Sequence, residues 1–219
     1  MNSGSFRLEP EPVVYIVDDD PGSRDALKSI AESMQLKVLV FSSAEEFLSS
    51  YKDDTVSCLI TDLRMQEMSG LDLLHRLREA GHSIQTIIIS GFAETPVAVD
   101  AMQAGAVTFL EKSAPQNKIS EAISRGLSLS RQLQKKKADD AKAKQIWKSF
   151  NAEERQVLRL VSAAKLNKEI AFELGVPLRT VEDRRRRLMN KIGAATVVDL
   201  IRFAIRIEEL EQSGDLETR

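Results

Sequence analysis

Five short runs rich in β-branched and apolar residues, Val13 to Val17, Lys37 to Phe41, Ser57 to Thr61, Thr86 to Ser90 and Val107 to Leu110, punctuate the first half of the chain, and each interval between them is long enough for a helix. This alternation constrains the fold more than any other feature. Strands spaced that way pair in parallel through crossovers, which predicts an α/β, flavodoxin-like, doubly wound five-stranded sheet in the order 2-1-3-4-5. Two helix starts are legible as well. Ser43 with Glu46 forms a capping pair ahead of Phe47-Leu48, and Thr95-Pro96 joins an N-cap to an N1 proline.

A parallel sheet carries its working residues at the carboxyl ends of its strands. Here strand one ends at Asp18-Asp19-Asp20, strand three at Asp62, strand four at Ser90-Gly91 and strand five at Glu111-Lys112. In the predicted order these four strands are neighbours, so an acid pair, a further acid, a hydroxyl and an ammonium converge on one crevice. Three clustered carboxylates repel one another unless a hard cation with oxygen ligands joins them, and magnesium fits that need. A carboxylate beside bound magnesium, with Ser90 and Lys112 placed to contact oxygens, suits attack on a phosphoryl group to give an acyl phosphate on Asp62. Taken singly, Ser90 reads as an ordinary strand-end hydroxyl, Lys112 as a solvated lysine and the Asp triplet as a helix entry. Their joint placement on four strand ends makes the chemical reading the stronger one.

Val17-Asp18-Asp19, Asp62-Leu63-Arg64-Met65 with Met68-Ser69-Gly70, Ile89-Ser90-Gly91, Ala104-Gly105-Ala106 and Phe109-Leu110-Glu111-Lys112 resemble the receiver domain of bacterial response regulators, most closely the FixJ/NarL type. The resemblance covers about residues 10–125. It implies Asp62 as phosphoacceptor, and Asp18, Asp19, Asp62 and the Arg64 backbone carbonyl as ligands of Mg2+. It also implies Ser90 and Lys112 as phosphoryl contacts, and Ser90 with Phe109 as the switch pair. Two positions depart from the pattern: Gln66 and Ser113 stand where the family usually has proline.

The formal net charge of −2 conceals a division. Counted along the sequence, Val13 to Arg125 carries −7, Gly126 to Ser149 carries +5 and Phe150 to Ile207 carries +5. An acidic first module joined to a basic second one points to a partner that is a polyanion. The intervening 126–149 segment is expected to be a helical linker. In the helical stretch from Pro115 to about Trp147 that contains it, Ile119, Ala122, Gly126, Leu129 and Leu133 alternate three and four as in a paired-helix seam, which leaves a coiled coil open beside a single exposed helix or a frayed tether. From 150 to 210 the chain predicts a small all-α domain of four helices: one after an Asn151 cap, Asn167 to Leu174 closing at Gly175, Leu178 to Ile192 closing at Gly193, and Thr196 to Leu210. Two helices joined by a short glycine-containing turn, the second carrying Arg184-Arg185-Arg186-Arg187, describe a helix-turn-helix.

Asn167-Lys168-Glu169-Ile170-Ala171, Gly175-Val176, Arg179-Thr180-Val181-Glu182 and Lys191-Ile192-Gly193 are similar to the LuxR-type helix-turn-helix. That resemblance implies phosphate contacts from Lys168, Arg179, Thr180 and Lys191, and places Glu182, Asp183 and Arg186 toward base edges, with Arg184 and Arg187 on the same helix. Asp183 stands where the family is usually apolar and Arg184 where it usually has histidine, so base preference is not carried over.

These readings combine into a transcriptional regulator rather than an enzyme: a sensor histidine kinase phosphorylates Asp62, the protein forms a homodimer through helix 4 and strand 5, and the second domain binds promoter DNA. RNA polymerase is a candidate further partner. No apolar run approaches a membrane span, the first twelve residues lack a signal-peptide core, and the single Cys58 sits in a predicted strand, so no disulfide and no membrane insertion are expected and the cytoplasm is the expected compartment. One rival class is a phosphatase of the haloacid-dehalogenase type using Asp18 as nucleophile, which leaves Asp62, Lys112 and the basic helix without a role. Another is a constitutive DNA-binding scaffold that never takes phosphate, against which the complete acid site argues.

Overall fold

The computed structural model describes residues 11–92 and 95–216, and it divides at residues 134 and 135 into two compact units. In the first, strands β1 (Val13–Val17), β2 (Lys37–Phe41), β3 (Ser57–Asp62), β4 (Gln85–Ser90) and β5 (Thr108–Glu111) alternate with helices α1 (Pro21–Ser33), α2 (Ala44–Ser50), α3 (Gly70–Glu79), α4 (Thr95–Gln103) and the start of α5 (Gln116–Lys148). The sheet is parallel throughout, in the order β2-β1-β3-β4-β5. Every residue of β1 and β3 is buried, as a sheet covered on both faces requires. Alternate residues go to opposite faces: Val14, Ile16, Cys58 and Ile60 meet Leu27 of α1 and Ile119, Ile123 and Leu127 of α5, whereas Val13, Tyr15 and Leu59 meet Phe47 of α2 and Leu73 and Leu77 of α3.

The segment expected as a linker does not stand apart as a third unit. Ile119, Ala122 and Gly126, the first half of the expected seam, are buried against the sheet of their own domain. Gly126 explains the arrangement: a Cβ there would lie 2.6 Å from the Cys58 sulfur, so glycine lets the helix reach β3. One turn later the Ser57 backbone N–H donates to Ser130 Oγ at 3.0 Å, which occupies the first donor of β3. The seam positions Ile119, Ala122 and Gly126 are thus occupied by the sheet, which leaves Leu129 and Leu133 of the expected seam.

In the second unit Ala143 and Trp147, from the last turns of α5, join the core formed by α6 (Ala152–Ser162), α7 (Asn167–Leu174), α8 (Leu178–Ile192) and α9 (Val197–Gln212). Four helices were expected and a fifth segment completes the core. Trp147 packs on Phe150 and Phe150 on Phe203, with the Arg155 guanidinium 4.9 Å above the Trp147 ring. Asn151 with Glu154 and Thr196 with Asp199 form capping boxes, and Gly175 and Gly193 close α7 and α8 in the left-handed conformation at φ 62° and 74°.

Candidate functional site

The loops after β1 and β3 bring the acids together. Asp18 is fully buried, Asp62 nearly so and Asp19 half-buried, and each of the three offers a carboxylate oxygen within 4.8 Å of the others'. Lys112 follows β5 and reaches both buried acids, with Nζ 2.8 Å from Asp18 Oδ2 and 3.1 Å from Asp62 Oδ2. No cis peptide occurs among the described residues, so the bond from Lys112 to Ser113 is trans and the lysine reaches the site without the usual proline.

Burial holds the Asp62 carboxyl above the usual carboxylate range. The negative charge of Asp18 adds to that shift, while hydrogen bonds from Lys112 and from the Arg64 backbone N–H oppose it. For Lys112 burial works against the charge, but its hydrogen bonds to Asp18 and Asp62 outweigh that cost and raise its pKa. The cluster is therefore short of positive charge at one corner, where Asp19 opens onto a cleft lined by Ser43, Glu45, Met65 and Gln66. Three converging oxygen donors with that imbalance fit a hard divalent cation.

Several residues that sequence reasoning passed over hold this geometry. Ser23 Oγ donates to Asp18 Oδ2 at 2.5 Å, the Asp20 N–H donates to Asp18 Oδ1 at 2.9 Å, and Arg24 Nη1 donates to the Asp18 carbonyl at 2.5 Å. Asp20 also caps α1 by accepting from the Ser23 N–H, which was the one available signal, since an N-cap acid fixes the residue three places on. Gly70 leaves no room for a side chain, because a Cβ would lie 2.2 Å from the Asp62 carbonyl oxygen.

Among the described residues neither switch candidate makes a side-chain bond to the acids, although the Lys112 backbone N–H donates to the Ser90 carbonyl at 2.7 Å. Ser90 is buried at the end of β4, and its hydroxyl donates to the Phe92 carbonyl at 2.8 Å. Phe109 is half-buried and packs, with Val97, on a cluster of Leu63, Leu74, Ile88, Ala101 and Ala106.

On α8 and its surroundings the basic candidates separate. Lys168, Arg179, Glu182, Arg186 and Arg187 are exposed, and Thr180 and Asp183 half-buried. Arg184 turns into the domain instead, its guanidinium 2.6 Å from Glu153, so it is occupied as a tie between α8 and α6. Lys191 is likewise engaged, donating to Glu154 at 2.7 Å and to the Ser149 carbonyl at 3.2 Å. Burial tends to raise the Glu154 carboxyl, yet the hydrogen bonds from Lys191 and from the Asn151 N–H hold it below its ordinary value.

Comparison with known proteins settles what kind of chain this is. Residues 14–124 match the response regulator receiver domain, and residues 148–204 match the luxR family of bacterial regulatory proteins. The chain belongs to the bacterial response regulators. The response regulator TmoT of Ectopseudomonas mendocina is 38% identical over 201 residues, covering 92% of this chain and 91% of its own. The transcriptional regulatory protein FixJ of Rhizobium meliloti is 39% identical over 194 residues, covering 88% and 94%. Among solved structures, the response regulator StyR superposes with a TM-score of 0.77 at 31% identity, over 91% of this chain and 99% of that one. Full-length FixJ from B. japonicum gives 0.56 at 30% identity, over 95% and 100%. The regulator thus pairs a receiver with a helix-turn-helix domain and acts on transcription, which places it among DNA-binding proteins rather than enzymes. No helix among the described residues is long and apolar enough to cross a membrane.

Proposed function

We propose that a sensor histidine kinase phosphorylates Asp62 of this cytoplasmic regulator, and that the phosphorylated form dimerises through α4 and β5 and binds promoter DNA through α8. The observation that carries the reading is the convergence of Asp18, Asp19 and Asp62 with Lys112 at 2.8 and 3.1 Å from two of them. Asp18, Asp19, Asp62 and the Arg64 carbonyl would hold Mg2+, whose charge offsets that of the incoming phosphoryl group. Asp62 is the acid placed to attack. The bonds of Asp18 to Ser23, the Asp20 N–H and Lys112 support reading it as a ligand rather than as the nucleophile. Lys112 exchanges its bond to the Asp62 carboxylate for one to a phosphoryl oxygen, and Ser90 leaves the Phe92 carbonyl to donate to another. Lys168, Arg179 and Thr180 would meet DNA phosphates, and Glu182, Asp183, Arg186 and Arg187 would face the major groove. The receiver reading takes in residues 10–125 and the DNA-binding reading 150–210, with 126–149 passing between them.

Incubation with acetyl phosphate and magnesium tests the central step. The regulator should gain one phosphoryl group by mass, and Asp62→Asn should gain none. A label that maps to Asp18 would return the phosphatase reading.

A further inference from the structure

The run Arg184-Arg185-Arg186-Arg187 carries four equal charges in sequence, but the structure does not treat them alike. At about 100° per residue around a helix, Val181 and Leu188 mark the buried side of α8, Arg184 and Arg185 flank that side, Arg187 lies lateral to it and Arg186 lies opposite. The contacts agree. The Arg184 side chain is only 12% exposed and pairs with Glu153, and Arg185 donates to the side-chain oxygen of Asn167 at the start of α7. Arg187 is exposed, and its charge acts on Glu154. Arg186 is 73% exposed, and its Nη2 lies 2.5 Å from Asp183 Oδ1, one turn earlier on the same outward face.

An exposed pair three residues apart on a helix adds little to stability, so holding α8 together is not its main effect. What it changes is the guanidinium. The contact favours one orientation of a flexible side chain and engages one of its nitrogens with the carboxylate. Arginine has five donors in a planar fork, so the remaining N–H groups still match the two acceptors, N7 and O6, that guanine presents in the major groove. Fixing the fork before contact removes part of the entropy that ordering it on DNA would cost. The carboxylate also sets a negative charge on a face that meets phosphates, which weakens binding to every sequence alike.

We infer that Asp183 is a positioning residue that sets the specificity of the reading helix: it holds Arg186 in the orientation that grips guanine, so each half-site carries a G·C pair opposite Arg186 and Asp183 itself touches no base. The inference rests on α8 being the DNA-reading helix. The experiment uses the full chain, treated with acetyl phosphate and magnesium, to select duplexes from a random library. The affinity of the selected duplex is then compared with single G·C to A·T replacements for the unaltered protein, Arg186→Ala, Asp183→Ala and Asp183→Asn.

The unaltered protein should lose about 10-fold or more in affinity at one replaced guanine, and Arg186→Ala should lose that discrimination. Asp183→Ala should lose most of it at the same position while binding unrelated duplex at least as tightly as before. Asp183→Asn, whose amide oxygen still accepts from Arg186, should fall between and serves as the readout should the alanine variant fold poorly. Full retention of the guanine preference in Asp183→Ala, or a changed preference at a neighbouring base pair, overturns the inference and leaves α8 as the reader. Selection of no sequence by the unaltered protein overturns the DNA-reading assignment and the inference with it.

Discussion

Lys112 spans Asp18 and Asp62 with one ammonium group, and that contact is where the proposed switch can be tested first. Its single positive charge offsets part of the charge of the two buried acids, and under the proposed function the ammonium lies beside the oxygen that would carry the phosphoryl group. Lys112→Ala removes the ammonium 3.1 Å from Asp62, and phosphoryl uptake from acetyl phosphate should slow by about 100-fold, the scale of losing one charge-stabilising donor in a preorganised site. Unchanged uptake by mass spectrometry would mean that the acid cluster alone supplies the electrostatics. A second charged pair works in the DNA-binding domain. Glu154 is buried and its carboxyl lies below the ordinary range, so folding favours its ionised form. That stabilisation is present above the unfolded carboxylate value of about 4.3 and is lost as pH falls through the lower folded value. Glu154→Gln should destabilise the protein by about 1 to 2 kcal/mol at pH 7 and lose less relative to the unaltered chain on acidification. Thermal unfolding at a series of pH values reads both effects. At this scale legibility was uneven. Asp18, Asp19, Asp62 and Lys112 could be read because strand ends announce them. Ser23, Arg24 and Gly70 could not, since their contacts depend on how a loop folds back and not on a repeating period.

Helix α5 shows what a propensity argument sees and what it misses. From sequence, Gly126 is a weak point inside a helix, costing about 1 kcal/mol relative to alanine. In the structure it is the residue that lets α5 approach Cys58. Gly126→Ala should therefore lower stability, by about 1 to 3 kcal/mol, because the added methyl overpacks a buried contact by more than helix propensity returns. Denaturant unfolding decides the sign, and a stabilised variant would mean that α5 shifts without cost. The strand runs, the sheet order and the bounds of α7 and α8 follow from period and capping, and these were open to reading. The division of α5 between two cores was not. The same spacing of apolar residues serves a seam, a sheet contact or a second core, and only the partners distinguish them. For a similar reason the four arginines of α8 looked equivalent until Glu153 and Asn167 were seen to take two of them.

At the scale of the molecule the question is whether the proposed event at Asp62 changes assembly, and α4 is where the proposed surface can be tested. Val97 and Ala101 face inward with Phe109, whereas Val99 and Met102 are each 48% exposed on the outer side of the same helix. Val97 is thus a poor place to probe an interface. A glutamate there would place a charge against Leu63, Leu74 and Ile88 and would damage the receiver whether or not α4 pairs. Val99 separates the two effects. If the phosphorylated regulator associates as a two-fold dimer through α4 and β5, each copy brings the same patch to the axis, so Val99→Glu sets two like charges into one apolar contact. Sedimentation equilibrium with acetyl phosphate and magnesium should show the unaltered protein shifting from monomer to dimer and Val99→Glu remaining monomeric. Mass spectrometry on the same samples should show both fully phosphorylated, which confirms that the receiver of the variant still folds and reacts. Undiminished dimerisation of phosphorylated Val99→Glu would exclude α4 as the interface, and the exposed apolar residues of α9, Val198 and Ile205, would become the surface to change next.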